Sequence, residues 1–104
     1  MEVFTTELFD TWFGKLKDRR AALRIQARID RAEDGNFGDH HAVGKGVSEM
    51  RIDYGPGYRI YYTMRGRKLV ILLAGGDKAT QSSDIKAAQA LADSLRGGGN
   101  GTKT

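Results

Sequence analysis

Leu8, Phe9, Trp12, Phe13 and Leu16 recur at the three- and four-residue intervals that gather apolar side chains on one face of a helix. Thr6 stands where a capping side chain belongs and Glu7 suits a first turn, so this helix is expected to begin there. Val3 and Phe4 before it predict a short strand over residues 1–5. Ala22, Ile25, Ile29 and Ala32 mark the inner face of a second helix, from Asp18 or Arg19 to Asp34. Gly35-Asn36-Phe37-Gly38-Asp39 ends it with turn chemistry, and a loop is expected through His40, His41, Gly44, Lys45 and Gly46. Strands are predicted over 47–54, 58–64 and 68–74, joined by Gly55-Pro56-Gly57 and Arg65-Gly66-Arg67. Links this short favour hairpins and an antiparallel meander. After Gly75-Gly76-Asp77-Lys78 a last helix starts at Thr80 or Ser82 and turns Ile85, Ala88, Leu91, Ala92 and Leu95 inward. The pattern is that of one α+β domain over residues 1–95, with a glycine-rich tail over 96–104 that is expected to be disordered.

Strand parity then assigns faces. With a three-residue link, Tyr54 pairs with Tyr58, so Asp53 meets Arg59 and Arg51 meets Tyr61. Glu49, Arg51, Asp53, Arg59, Tyr61 and Thr63 share one side, and the other side is apolar and expected to cover the helices. The third strand is apolar at both parities, as in a strand buried on both faces. A two-residue last turn pairs Arg59 with Ala74 and lets Lys78 reach the polar side from the strand's end. Read structurally, that side is a solvated sheet face with cross-strand salt bridges. Read chemically, its arginines and lysine stabilise charge on a phosphate, and Tyr61 stacks on a base or moves a proton.

Composition narrows the chemistry. The 104 residues carry a net charge of +4 and no cysteine, which removes thiol catalysis and cysteine-ligated zinc. No apolar run approaches a membrane span, and the start lacks a secretory pattern, so a cytoplasmic location without membrane contact is expected. The basic excess suits a polyanionic partner. Arg20, Arg24, Arg28 and Arg31 form one stripe on the second helix, open to three readings: a solvated face, a phosphate-tracking surface, or a surface for an acidic protein segment. Arg20, Arg24, Arg28 and Lys45 are taken as candidate RNA-binding residues. His40 and His41 lack clustered carboxylates, so neither a metal nor a cofactor is expected. Gly75-Gly76-Asp77-Lys78 lacks the spacing of a phosphate-binding P-loop.

The run Gly46-Val47-Ser48-Glu49-Met50-Arg51-Ile52-Asp53-Tyr54-Gly55-Pro56-Gly57-Tyr58-Arg59-Ile60-Tyr61-Tyr62, with Leu72-Leu73-Ala74-Gly75-Gly76-Asp77-Lys78 and the upstream Gly35–Asp39, resembles the addiction module killer branch of the RelE/HigB toxins. The resemblance covers about residues 3–95. It implies a RelE-like fold: a small antiparallel sheet, two N-terminal helices on one face and a C-terminal helix. It also implies a toxin of a type II toxin–antitoxin system that cleaves messenger RNA in the ribosomal A site. In that reaction the RNA's own 2′-hydroxyl attacks the adjacent phosphorus without a metal. By resemblance Arg59 neutralises the scissile phosphate, with Arg51 and Lys78 at further basic positions; Tyr61 joins them from sheet geometry. The implied partners are messenger RNA on the ribosome, a helix-turn-helix antitoxin, and operator DNA through the antitoxin complex. RelE proper has a tyrosine near its C-terminus and HigB relatives use histidines, whereas neither residue follows Tyr62 here. Tyr61, His40, His41 and Asp77 therefore stay open as proton-transfer groups. A gyrase inhibitor of the ParE type and a non-catalytic RNA-binding regulator are the competing functions.

Overall fold

The computed structural model describes residues 1–101, the side chains of 97–101 excepted. Its elements are β1 (Glu2–Thr5), α1 (Glu7–Gly14), α2 (Arg19–Glu33), β2 (His40–Gly44), β3 (Val47–Ile52), β4 (Tyr58–Arg65), β5 (Leu69–Gly76), a 3-10 turn (Lys78–Thr80) and α3 (Gln81–Gly101). One sheet of order β1-β5-β4-β3-β2 runs through the molecule. β2 to β5 pair antiparallel in sequence, whereas β1 lies parallel to β5.

Both early helices start on side-chain caps. The Thr6 hydroxyl accepts from Phe9 N at 3.1 Å and donates to Leu73 O at 2.8 Å, which fixes the head of α1 to β5. Asp18 caps α2 by accepting from Arg20 N and Ala21 N. The inner faces of α1 and α2, with Phe9, Ile25, Ile29 and Ala32, bury Met50, Ile52, Ile60, Tyr62, Val70 and Leu72 on one side of the sheet. Phe37 stacks on Tyr62 at 4.9 Å and closes that layer.

The opposite side of the sheet is not simply polar. Ala88 and Ala92 of α3, with Ile85, Leu91 and Leu95, cover Val47, Tyr61, Leu73 and Ala74. The sheet is therefore helix-covered on both faces, and the exposed polar surface shrinks to the end where β3 finishes and β4 begins. The 40–46 loop is also corrected, since His40–Gly44 forms an edge strand on β3. Its residues are largely exposed on both parities, so no apolar alternation announces it. The backbone of α3 is helical through Gly101, past residue 96 where the tail is expected to begin. Residues 102–104 lie outside those described.

At Arg51 and Arg59 the registers differ from expectation by even steps. Arg51 pairs with Arg59 and Glu49 with Tyr61, so the first link has five residues, 53–57, and Asp53 leaves the strand. Gly55 and Gly57 both take positive φ (58° and 83°), and that turn closes through Gly57 N to Tyr54 O. In the second hairpin Arg65 pairs with Leu69, and a bulge at Tyr61/Tyr62 shifts Arg59 onto Gly76 rather than Ala74. A longer turn and a bulge each add one residue, so parity is restored.

Candidate functional site

The site is built on the β3–β4 hairpin. Arg51 and Arg59 are direct cross-strand partners, and their side chains share the α3 side of the sheet. The Arg51 side chain is 42% exposed and the Arg59 side chain 10%. Arg59 Nη1 donates to Gly57 O at 2.9 Å, which turns its guanidinium toward the hairpin loop. A β-carbon on Gly57 would stand 3.4 Å from Arg59 Nη1 and 3.5 Å from the Lys78 β-carbon. Arg59 and the base of the Lys78 side chain thus flank one glycine, and Arg51 and Arg59 share one face of the sheet.

Lys78 is placed by an N-cap. Asp77 accepts from Ala79 N and Thr80 N, and Thr80 Oγ1 accepts in return from Asp77 N. One oxygen of the Asp77 carboxylate is thereby engaged by the backbone of the turn. The two preceding glycines have packing reasons of their own. A β-carbon on Gly75 would stand 2.1 Å from Trp12 Cε3, and one on Gly76 1.8 Å from Asp84 Oδ2. Gly75 admits α1 on one face of β5, and Gly76 admits α3 on the other.

Beneath the arginines lies a residue whose role the sequence does not announce. Glu49 is 1% exposed, and its Oε2 accepts from Arg51 Nε at 2.7 Å. Gln81, the first residue of α3, donates to both carboxylate oxygens at 3.0 and 3.3 Å. Arg59 Nε lies 3.8 Å from Oε1, a charge contact too long for a hydrogen bond. The Glu49 hydrogen bond raises the Arg51 pKa further, so that guanidinium stays charged.

Tyr61 is corrected. Its ring is fully buried, so it offers no surface for a base to stack on. Burial, reinforced by Glu49 and Asp84, pushes its phenol well above the usual tyrosine range and disfavours the phenolate. His41 pairs with Glu49 across β2–β3 and so shares the face of the arginines, with Nε2 3.1 Å from Asp39 Oδ1. His40 pairs with Met50, takes the opposite face, and lies 5.9 Å from the Phe37 ring.

The other predicted contacts do not gather here. α2 packs on the far side of the sheet. Arg28 is spent on structure: its guanidinium donates to the carbonyls of Arg51, Phe37 and Asp39, and it is not available to RNA. Burial lowers its pKa, with Arg31 adding to the effect. Arg24 lies over the Tyr54 ring at 4.6 Å, and Arg20 is exposed beside it. Lys45 sits in the β2–β3 turn with φ 55°, at the opposite end of β3 from Arg51.

A helix-covered five-stranded sheet with basic residues at the mouth of its central hairpin is a RelE-like fold. A chain of the intact E. coli RelBE toxin–antitoxin complex matches it with a TM-score of 0.60 at 13% identity, over 72% of this chain and 93% of that one. The sequence resemblance to RelE-type chains thus holds at the level of the fold. The chain belongs to the family described as phage derived protein Gp49-like (DUF891), whose model matches residues 11–95. It is also similar to an uncharacterized protein of Haemophilus influenzae, 52% identical over 95 residues that cover 91% of this chain and 96% of the relative. Among the described residues no helix is long and apolar enough to cross a membrane.

Proposed function

We propose that this protein is the toxin of a toxin–antitoxin pair and acts as an endoribonuclease on messenger RNA in the ribosomal A site. The observation that supports the reading is the pairing of Arg51 with Arg59 on one face of the sheet, with Lys78 rooted beside the same exposed hairpin loop. In the reaction the RNA 2′-oxygen bonds to the adjacent phosphorus while the bond from phosphorus to the 5′-oxygen breaks. A 2′,3′-cyclic phosphate and a 5′-hydroxyl result. The 2′-hydroxyl loses a proton and the leaving oxygen gains one. Arg59 and Arg51 hold the non-bridging oxygens as negative charge builds, and Lys78 neutralises the leaving side. Of the four proton-transfer candidates, His41 alone combines an exposed side chain with the face of the arginines, so it is assigned the proton transfer. Arg20, Arg24 and Lys45 add electrostatic attraction to ribosomal or messenger RNA away from the cleavage point. The partner is a cognate antitoxin of the helix-turn-helix kind, which carries the complex to operator DNA.

The test is controlled expression of the chain with mapping of messenger RNA 5′ ends, alongside Arg59→Ala. New 5′ ends and growth arrest are expected from the parent chain. Arg59→Ala should lower cleavage by about a hundredfold or more. Arrest with intact transcripts rejects the reading, as does arrest untouched by Arg59→Ala. DNA damage signalling with intact RNA would instead place the protein with gyrase inhibitors.

A further inference from the structure

A buried carboxylate needs partners that repay its lost hydration, and Glu49 has them in the site itself. Its oxygens accept from Arg51 Nε and Gln81 Nε2 and stand against Arg59 Nε. Arg51 and Arg59 face each other directly across β3–β4, an arrangement in which like charges repel. A carboxylate between them offsets that repulsion. It also decides which edge of Arg51 is used. With Nε occupied, Nη1 and Nη2 meet no protein acceptor among the described residues, in a side chain 42% exposed. That is the edge suited to grip two phosphate oxygens.

We propose that Glu49 is a positioning residue: it holds Arg51 by its Nε, so that the outer edge of Arg51 meets the phosphodiester, and stands as counter-charge against Arg59, with Gln81 coupling the arrangement to α3. The inference rests on the ribonuclease reading above and deepens it. Glu49 does not itself take the 2′-hydroxyl proton, because it is 1% exposed and both oxygens already accept hydrogen bonds.

Two measurements on the full-length chain test it. The first is NMR of the Arg51 Nε–H, expected to be slowly exchanging in the parent and lost to rapid exchange in Glu49→Gln. The second is single-turnover cleavage of ribosome-bound messenger RNA by the parent, Glu49→Gln, Arg51→Ala and the double variant. Glu49→Gln should slow cleavage by about ten- to a hundredfold with an unchanged pH profile. In the Arg51→Ala background the same change should cost less than about threefold, since its main intermediary is gone. An Arg51 Nε–H indifferent to Glu49, additive losses, or the disappearance of one limb of the pH profile would overturn the proposal. Should Glu49→Gln fail to fold, Gln81→Ala keeps every charge and must show the same non-additivity with Arg51→Ala; additivity there overturns it as well. No cleavage by the parent rejects the ribonuclease reading itself, and the Arg51 resonance then decides the positioning: dependence on Glu49 supports it and independence overturns it.

Discussion

The Tyr61 ring lies under α3, and its hydroxyl meets no hydrogen-bond partner among the described residues. Removing an unsatisfied buried hydroxyl relieves a desolvation cost. Tyr61→Phe should therefore stabilise the fold by about 1 kcal/mol in chemical denaturation and leave cleavage within about threefold of the parent. A hundredfold loss of cleavage would restore a chemical role to the phenol. Arg28 makes the opposite case. Its three carbonyl contacts join α2 to β3 and to the 37–39 turn, so Arg28→Ala should cost about 2 kcal/mol of stability. RNA affinity of the folded variant should stay unchanged in a binding titration. Neither role is readable from spacing. Helical periodicity places Arg28 in a stripe, but the carbonyls that claim it come from residues 9 to 23 positions away. Tyr61 has the parity of a polar face, and only the docking of α3 makes that part of the face apolar.

Among the elements, the helices were legible because their apolar spacing and caps agree. Thr6 caps as its position suggests, and Asp18, expected only at the helix boundary, caps α2. The grouping of Arg51 with Arg59 was legible for a different reason. At both arginines the net register error was an even step, and an even step keeps side chains on their face. β2 stayed hidden because an exposed edge strand needs no alternation. Glu49 was placed on the face of the arginines, but its burial and its contact with Gln81 stayed hidden because a carboxylate and the head of α3 meet only in three dimensions. The Gly75-Gly76 pair in β5 carries the clearest prediction at this scale. Gly75→Ala forces the Trp12 ring away from the sheet and should destabilise by about 2 kcal/mol in thermal or chemical denaturation. Gly76→Ala pushes on Asp84, three residues from Gln81, and so disturbs the support of Glu49. Its loss of cleavage should exceed what its loss of folded protein explains, when rates are normalised to the folded fraction by circular dichroism.

Over the whole molecule, two groups of basic residues lie apart. One holds Arg51, Arg59 and Lys78 at the hairpin mouth; the other is the outer side of α2 with Arg20 and Arg24, across the sheet. A contact that only attracts RNA changes affinity and its salt dependence, whereas one at the breaking bond changes the rate of the step. The Arg20→Ala, Arg24→Ala double variant should raise KM and flatten the salt dependence of RNA binding by about two units of slope, with kcat preserved. A fall in kcat matching that of Arg59→Ala would assign the two surfaces to one site.

The parallel pairing of β1 with β5 sets a timetable for synthesis. β1 emerges from the ribosome long before Leu69–Leu72, the stretch it aligns with, has been translated. The Thr6 hydroxyl must likewise wait for Leu73 O, 67 positions later. Until then the sheet lacks its border and α1 has no anchor. A half-made chain stays incomplete, and maturity arrives only when the distant partner strand slides in alongside.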